Sequence, residues 1–264
     1  MSKYFNNKIV WITGASSGIG QALAIELSKK DTFLILTGRD QERLESTQRQ
    51  LKDPNKSKII ILDLVNTWQL EICTQSILKE FGHIDILINN AGVSQRSKIV
   101  DTSMNVYREL MEVNYFGLIN LTKLLLPNML TKGSGQIVVI SSVAGKIGAP
   151  LRSGYSAAKH ALHGFFDCLR AEHSKDNIKV NIICPGYTKT NIASNALIGN
   201  GAKFTQTDDE ISKGMDPNIL AAKIIKAVEH NTFESYFGGK EIKAIYLKRF
   251  FPKLLQKLLI KRNQ

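Results

Sequence analysis

Cysteine is scarce in this 264-residue chain: Cys73, Cys168 and Cys184 are widely spaced and form no CxxC pair. That excludes a disulfide framework and a thiolate zinc finger, and it reads as a reduced, cytoplasmic setting with the thiols as small core residues. No apolar run reaches the ~18 residues of a membrane span. The N-terminus, MSKYFNNKIVWITG, enters a strand almost at once, so no secretory leader is expected. The five histidines show no ligand spacing, so no metal is expected, and His160 and His163 read as helix-face residues. Repeats, low-complexity tracts and interdomain linkers are also lacking. Acidic residues are in deficit, 23 against 35 Lys and Arg, for a net charge of +12. Seven of those charges come from residues 240–264, with eight Lys or Arg and one Glu. No aromatic-basic interleaving or reader motif accompanies them, which argues against nucleic acid as a partner.

What is present is a 43% hydrophobic chain, enough for a sizeable core. Short apolar runs alternate with amphipathic stretches. Strands are expected at Lys8–Thr13, Thr32–Thr37, Lys58–Leu62, Asp85–Ile88, Ile137–Ile140, Lys179–Cys184 and Ser235–Phe237. Helices are expected between them, including one from Val106 to Leu130 with Asn114 inside it. This alternation specifies an α/β fold: a doubly wound, Rossmann-like parallel sheet covered on both faces, in a single domain. Residues 1–240 are expected to form the folded domain. Within it, 187–216 breaks the periodic pattern and reads as a substrate lid.

The first strand runs straight into Gly14-Ala15-Ser16-Ser17-Gly18-Ile19-Gly20, and a helix follows. Glycines at that spacing let the backbone turn tightly, let a phosphate approach, and present helix N-terminal N–H groups to an anion. The strand–loop–helix context points to dinucleotide binding. The second strand ends at Gly38-Arg39, where an acid would hold the ribose hydroxyls of NAD and an arginine would accommodate the 2′-phosphate of NADP. NADP(H) is therefore expected in preference to NAD(H).

Tyr155 and Lys159 lie one helical turn apart on one face, and Ser142 lies thirteen residues upstream at the end of an apolar run. Alone, this spacing describes any helix with an exposed Tyr and Lys. Beside a dinucleotide site it describes an acid/base group: a phenol titrating near ~10, made more acidic by a neighbouring cation.

Taken together, TGASSGIG (13–20), NNAG (89–92), Asn114, Ser142, YSAAK (155–159) and PG (185–186) resemble the short-chain dehydrogenase/reductase family over nearly the whole chain. The wording RSGYSAAKHALHGFFDCLRAE and PGYTKTNI is similar to its subgroup called dehydrogenase/reductase family member 7B and bacterial relatives. The resemblance implies an oxidoreductase that reduces a carbonyl or oxidises the corresponding alcohol. Tyr155 would be the proton donor, Lys159 would bind the nicotinamide ribose and, together with the cationic nicotinamide of the oxidised complex, lower the Tyr155 pKa, Ser142 would bind the substrate oxygen, and Asn114 would hold a relay water. Gly14, Ser16, Ser17, Gly18 and Ile19 would line the pyrophosphate and ribose, and Arg39 would meet the 2′-phosphate. Asp63 and Leu64 would meet the adenine, and Asn90, Ala91 and Gly92 the adenosine side. Pro185, Gly186, Thr188 and Thr190 would lie by the nicotinamide. Ser17 departs from many NADP-using members, which carry Arg or Lys there. The family's habit of pairing through two long helices implies a homo-oligomer, a dimer or tetramer.

Two alternatives to the soluble enzyme stay open. One is a nucleotide-binding regulator without turnover. The other is a membrane-peripheral reductase of lipid-like ketones, since Leu247, Phe250, Phe251, Leu254, Leu255, Leu258 and Leu259 recur at helical spacing with Lys253, Lys257 and Lys261 opposite. Residues 247–262 would then touch a membrane surface; otherwise the segment packs on its own subunit or a partner copy. In the lid, Ile192, Ala193, Ala196, Leu197, Ile198 and Phe204 suggest a partly apolar substrate.

Overall fold

The computed structural model describes residues 3–206 and 209–262. Seven strands form one sheet: β1 Lys8–Thr13, β2 Thr32–Gly38, β3 Ser57–Ile61, β4 Ile86–Asn89, β5 Gly135–Ile140, β6 Ile178–Pro185 and β7 Glu234–Phe237. All neighbours are parallel, in the order β3-β2-β1-β4-β5-β6-β7. Helices α1 Gly18–Ser28, α2 Gln41–Arg49 and α8 Pro217–Glu229 cover one face. The other is covered by α3 Thr67–Phe81, α5 Gly117–Lys132 and α6 Ser153–Glu172. Parallel strands wrapped on both sides must be apolar throughout. Accordingly Val10, Trp11 and Ile12 of β1 are all fully buried, and the Trp11 indole donates to Thr37 Oγ1 (3.2 Å) across to β2.

Most strand boundaries fall within one residue of the sequence reading. β5 departs, starting two residues early at Gly135, and the edge strand β3 is only half-buried, because it pairs on one side alone. The long helix is interrupted. α4 (Met104–Met111) passes through a π-helical turn, Glu112–Phe116, before α5 resumes the α-helix. Asn114 sits in that turn, a feature that recurs at functional sites. Among the described residues of 187–216, the segment expected to be a lid, the helical element is short, α7 (Asp209–Ser212). The C-terminal segment forms two helices, α9 (Lys243–Phe250) and α10 (Pro252–Arg262), divided at Phe251, whose backbone (φ −136°, ψ 60°) is not helical. Pro252 explains the break: the residue before a proline is steered away from the helical region.

The sheet reverses direction of winding between β1 and β4. In folds of this kind, ligands bind at that switch point, outside the strands' carboxyl ends.

Candidate active site

A cleft of about 1030 Å³ opens at the switch point. Its floor is the glycine-rich loop. Gly14 and Gly18 have φ of +65° and +57°, a region L side chains avoid. A Cβ on Gly14 would lie 2.9 Å from Ala91 Cα, and one on Gly20 would collide with the Gly14 carbonyl. The Asn90 amide donates to the Thr13 and Gly14 carbonyls (2.9 and 3.1 Å), tying the NNAG turn to this loop. The first turn of α1 contains no acid, and its N-cap residue Ser17 makes no side-chain capping bond. A helix N-terminus left in this condition suits a pyrophosphate.

At the end of β2, Arg39 is exposed and lines the cleft. Asp40, the next residue, is already committed: its carboxylate accepts from Arg43 N (3.1 Å) as the N-cap of α2 and pairs with the Arg43 guanidinium (3.3 Å). Ser16, Ile19, Asp63, Leu64, Ala91, Gly92, Pro185, Gly186, Thr188 and Thr190 also line the cleft. Thr190 comes down on the glycine loop, since a Cβ on Gly18 would lie 3.1 Å from Thr190 Cγ2.

The head of the cleft is formed by Ser142, Tyr155 and Lys159. β5 delivers Ser142, whose hydroxyl accepts from Ala144 N (3.1 Å) and lies within hydrogen-bonding reach of the Tyr155 phenol. Tyr155 and Lys159 share the buried face of α6, with Lys159 Nζ 5.8 Å from the Tyr155 ring centre and donating to the Ile140 carbonyl (2.7 Å). Burial pushes Lys159 down to about 8. It also pushes the Tyr155 phenol above its ordinary value, and the Ser142 hydrogen bond and the Arg152 charge offset this only in part. The sequence expectation was a phenol lowered by Lys159. In the structure desolvation outweighs the nearby charges, and the ammonium is directed to the Ile140 carbonyl.

Asn114 does not line the cleft. Fully buried, it accepts from Val93 N (2.9 Å) and donates to the Val93 and Leu110 carbonyls (3.0 and 2.9 Å). A Cβ on Gly92 would lie 2.6 Å from Asn114 Oδ1 and 3.6 Å from Lys159 Nζ, so only glycine lets that turn pass between the two.

Residues 8–199 match the family model described as short chain dehydrogenase. The chain belongs to the short-chain dehydrogenase/reductase family. It is 43% identical to "Dehydrogenase/reductase SDR family member 7B" of Danio rerio, across 97% of this chain and 85% of that one. It is 39% identical to the Homo sapiens "Dehydrogenase/reductase SDR family member 7", across 92% and 74%. Among solved structures, a short-chain dehydrogenase from Streptomyces avermitilis superposes with a TM-score of 0.81 at 29% identity, covering 98% of this chain and 99% of that one. A family member from Burkholderia phymatum, solved in complex with NAD, gives 0.85 at 22% identity, covering 96% of each.

Two features of this short-chain dehydrogenase/reductase escaped the sequence reading. The first is Gln95. Helix α6 begins without a side-chain cap of its own. The fully buried Gln95 supplies one from 59 residues away, its Oε1 accepting from Gly154 N (2.7 Å). Its Nε2 meets the Ser97 and Thr102 hydroxyls (3.2 and 3.1 Å). The main chain at Gln95 also forms a β-bridge to Leu197, Arg96 N donating to the Leu197 carbonyl (2.8 Å) and Leu197 N to the Ser94 carbonyl (2.9 Å), so this one residue ties the 187–216 segment by its backbone and the helix carrying Tyr155 by its side chain. No local pattern marks it. Gln95→Leu is expected to strand these buried groups at ~1–3 kcal/mol. At roughly 2–4 °C per kcal/mol for a chain of this size, thermal unfolding should read a fall of several degrees; an unchanged midpoint would show that the cap is dispensable.

The second is a polar cluster behind Lys159. Ser141 Oγ meets His163 Nε2 (2.9 Å) and the Lys159 carbonyl (3.4 Å). Although their spacing shows no ligand set, the fold brings His163, Cys184 and Glu234 together, with one donor atom of each within 4.8 Å of the others. The Glu234 carboxylate is paired with Lys146 (2.7 Å), so an ammonium already meets its charge. Burial, then the Lys146 charge, pushes His163 down to about 4, leaving it neutral at pH 7.

Proposed function

We propose that the chain is an NADP(H)-dependent oxidoreductase that reduces a carbonyl, or oxidises the corresponding alcohol, on a small molecule. The observation that carries this reading is the meeting of Ser142, Tyr155 and Lys159 at the head of a cleft floored by the glycine loop. Bound nicotinamide supplies the hydride; the protein supplies orientation, a proton and exclusion of water. Ser142 holds the substrate oxygen, Tyr155 gives it a proton, and Lys159 holds the ribose hydroxyls. A relay water at Asn114 has to be met by main chain, because the side-chain amide is taken by Val93 and Leu110. A regulator without turnover gives no reason to bury the Lys159 ammonium, which costs stability. Residues 1–240 serve as the catalytic unit with 187–216 as its lid, in a cytoplasmic homo-oligomer.

A nicotinamide dinucleotide is also the ligand of the Burkholderia phymatum relative. The preference for NADP(H) rests on Arg39 and on the lack of an available acid at the end of β2. Gly38 needs no special backbone, and a Cβ there would make ordinary contacts with Ser16 Oγ (3.4 Å) and Leu44 Cδ2 (3.6 Å). A side chain can therefore start at this position without backbone strain. The test is a panel of soluble and long-chain carbonyls assayed by consumption of NADPH and of NADH. Wild type is expected to turn over faster with NADPH. Gly38→Asp with Arg39→Ala is expected to lower the NADPH:NADH ratio of kcat/KM by about 10- to 100-fold, the worth of one charge-assisted hydrogen bond. No turnover across the panel counts against the enzyme, and an unmoved ratio against the NADP(H) preference.

A further inference from the structure

The C-terminal helix pair has two apolar faces, and only one is covered. The inner face packs beside the cleft. Leu255 is buried against Val143 and Ile147, with Ile242, Ile245, Leu247 and Leu259 around it, and Ala244 and Leu259 reach the cleft lining. Glu241 fixes this arrangement, its Oε1 accepting from Tyr187 N and Gly239 N (3.0 Å each). The outer face carries Phe250 and Phe251 (67% and 63% exposed) followed by Leu254 and Leu258. On α10 the pairs 254/258 and 255/259 each lie one turn apart on adjacent stripes, so covering Leu255 leaves Leu254 and Leu258 in solvent.

We propose that this outer face docks on the surface of an anionic lipid bilayer. Charge decides among the occupants. Between Lys243 and Arg262 there are seven Lys or Arg and no acid. A second copy laid on the same face would oppose like charges, which disfavours self-pairing. An anionic bilayer offers opposite charge to the lysines and an apolar layer to the Phe and Leu side chains at once. The two helices are ~12 and ~17 Å long at 1.5 Å per residue, against a bilayer core of ~30 Å. They lie along the surface and do not cross it. Among the described residues no helix is long and apolar enough to span. Docking in this pose sets the cleft wall formed by Ala244 and Leu259 beside the interface.

The test is co-sedimentation of the full chain with phosphatidylcholine vesicles, with and without phosphatidylglycerol, at low and high salt. Wild type is expected to bind only the anionic vesicles and to be released by salt. The triple variant F250S/L254S/L258S is expected to bind on the order of tenfold more weakly, as is K253E/K257E. Both should keep the wild-type thermal midpoint and wild-type turnover of a soluble carbonyl, since neither touches the inner face. Absence of wild-type binding, or equal binding by the variants, overturns the proposal. So does a loss of oligomeric state in the triple variant, which would assign the face to a second copy. Soluble turnover is scored separately, so failure of the docking surface leaves the enzymatic reading standing.

Discussion

Tyr155→Phe is expected to lower turnover by ~10²–10⁴-fold, the usual worth of a positioned acid/base group, while nucleotide affinity is kept. The substitution removes one oxygen and preserves the ring, which packs on the buried face of α6. Fluorescence titration with NADPH measures the affinity and steady-state kinetics the turnover. Residual turnover near wild type would remove Tyr155 from the mechanism. Loss of binding in step with turnover would show that the ring, and not the hydroxyl, matters. The raised Tyr155 pKa also gives the direction of the pH dependence. A phenol held above its ordinary value is protonated at neutral pH, the form that reduction consumes. Oxidation needs the phenolate, so the alcohol-oxidising rate is expected to climb with pH while the reducing rate falls.

Lys159→Met is expected to differ from Tyr155→Phe by weakening nucleotide binding as well as turnover, because the ammonium lies beside Gly92, which lines the cleft with the glycine loop. Its effect on stability carries a distinct signature. Lys159 titrates near 8 in the folded protein, against 10.5 for the free side chain. Between those values the unfolded chain binds the extra proton, so this group makes wild-type stability rise with pH through that window. At 1.36 kcal/mol per unit the rise is on the order of 3 kcal/mol. The variant lacks it. Chemical denaturation at pH 7 and near pH 10 should therefore show wild type gaining on Lys159→Met by about that amount. Parallel pH dependences would mean that Lys159 is solvated. The comparison between two pH values cancels the constant cost of leaving the Ile140 carbonyl without its donor.

The amino-acid sequence by itself determined the architecture and named much of the cleft's lining, Asn114 excepted. Short apolar runs separated by amphipathic stretches admit one economical packing, a parallel sheet with helices on both sides. TGASSGIG and NNAG are local in the chain, and their backbone demands can be read from glycine alone. What only tertiary structure decided is how these pieces bear on each other. Gln95 caps α6 from 59 residues away, His163 meets Cys184 and Glu234, and Asn114 spends its amide on Val93, contacts that no local spacing encodes. The sign of the Tyr155 shift belongs here too. It is a balance between burial, which every surrounding layer contributes, and nearby charges, so Lys159 four residues away could not settle it. For the C-terminal segment, amphipathic periodicity was legible, but which stripe faces inward depended on the cleft wall at Val143 and Ile147. Short-range pattern fixes the conformation of a segment; burial and long-range contact fix what its side chains are free to do.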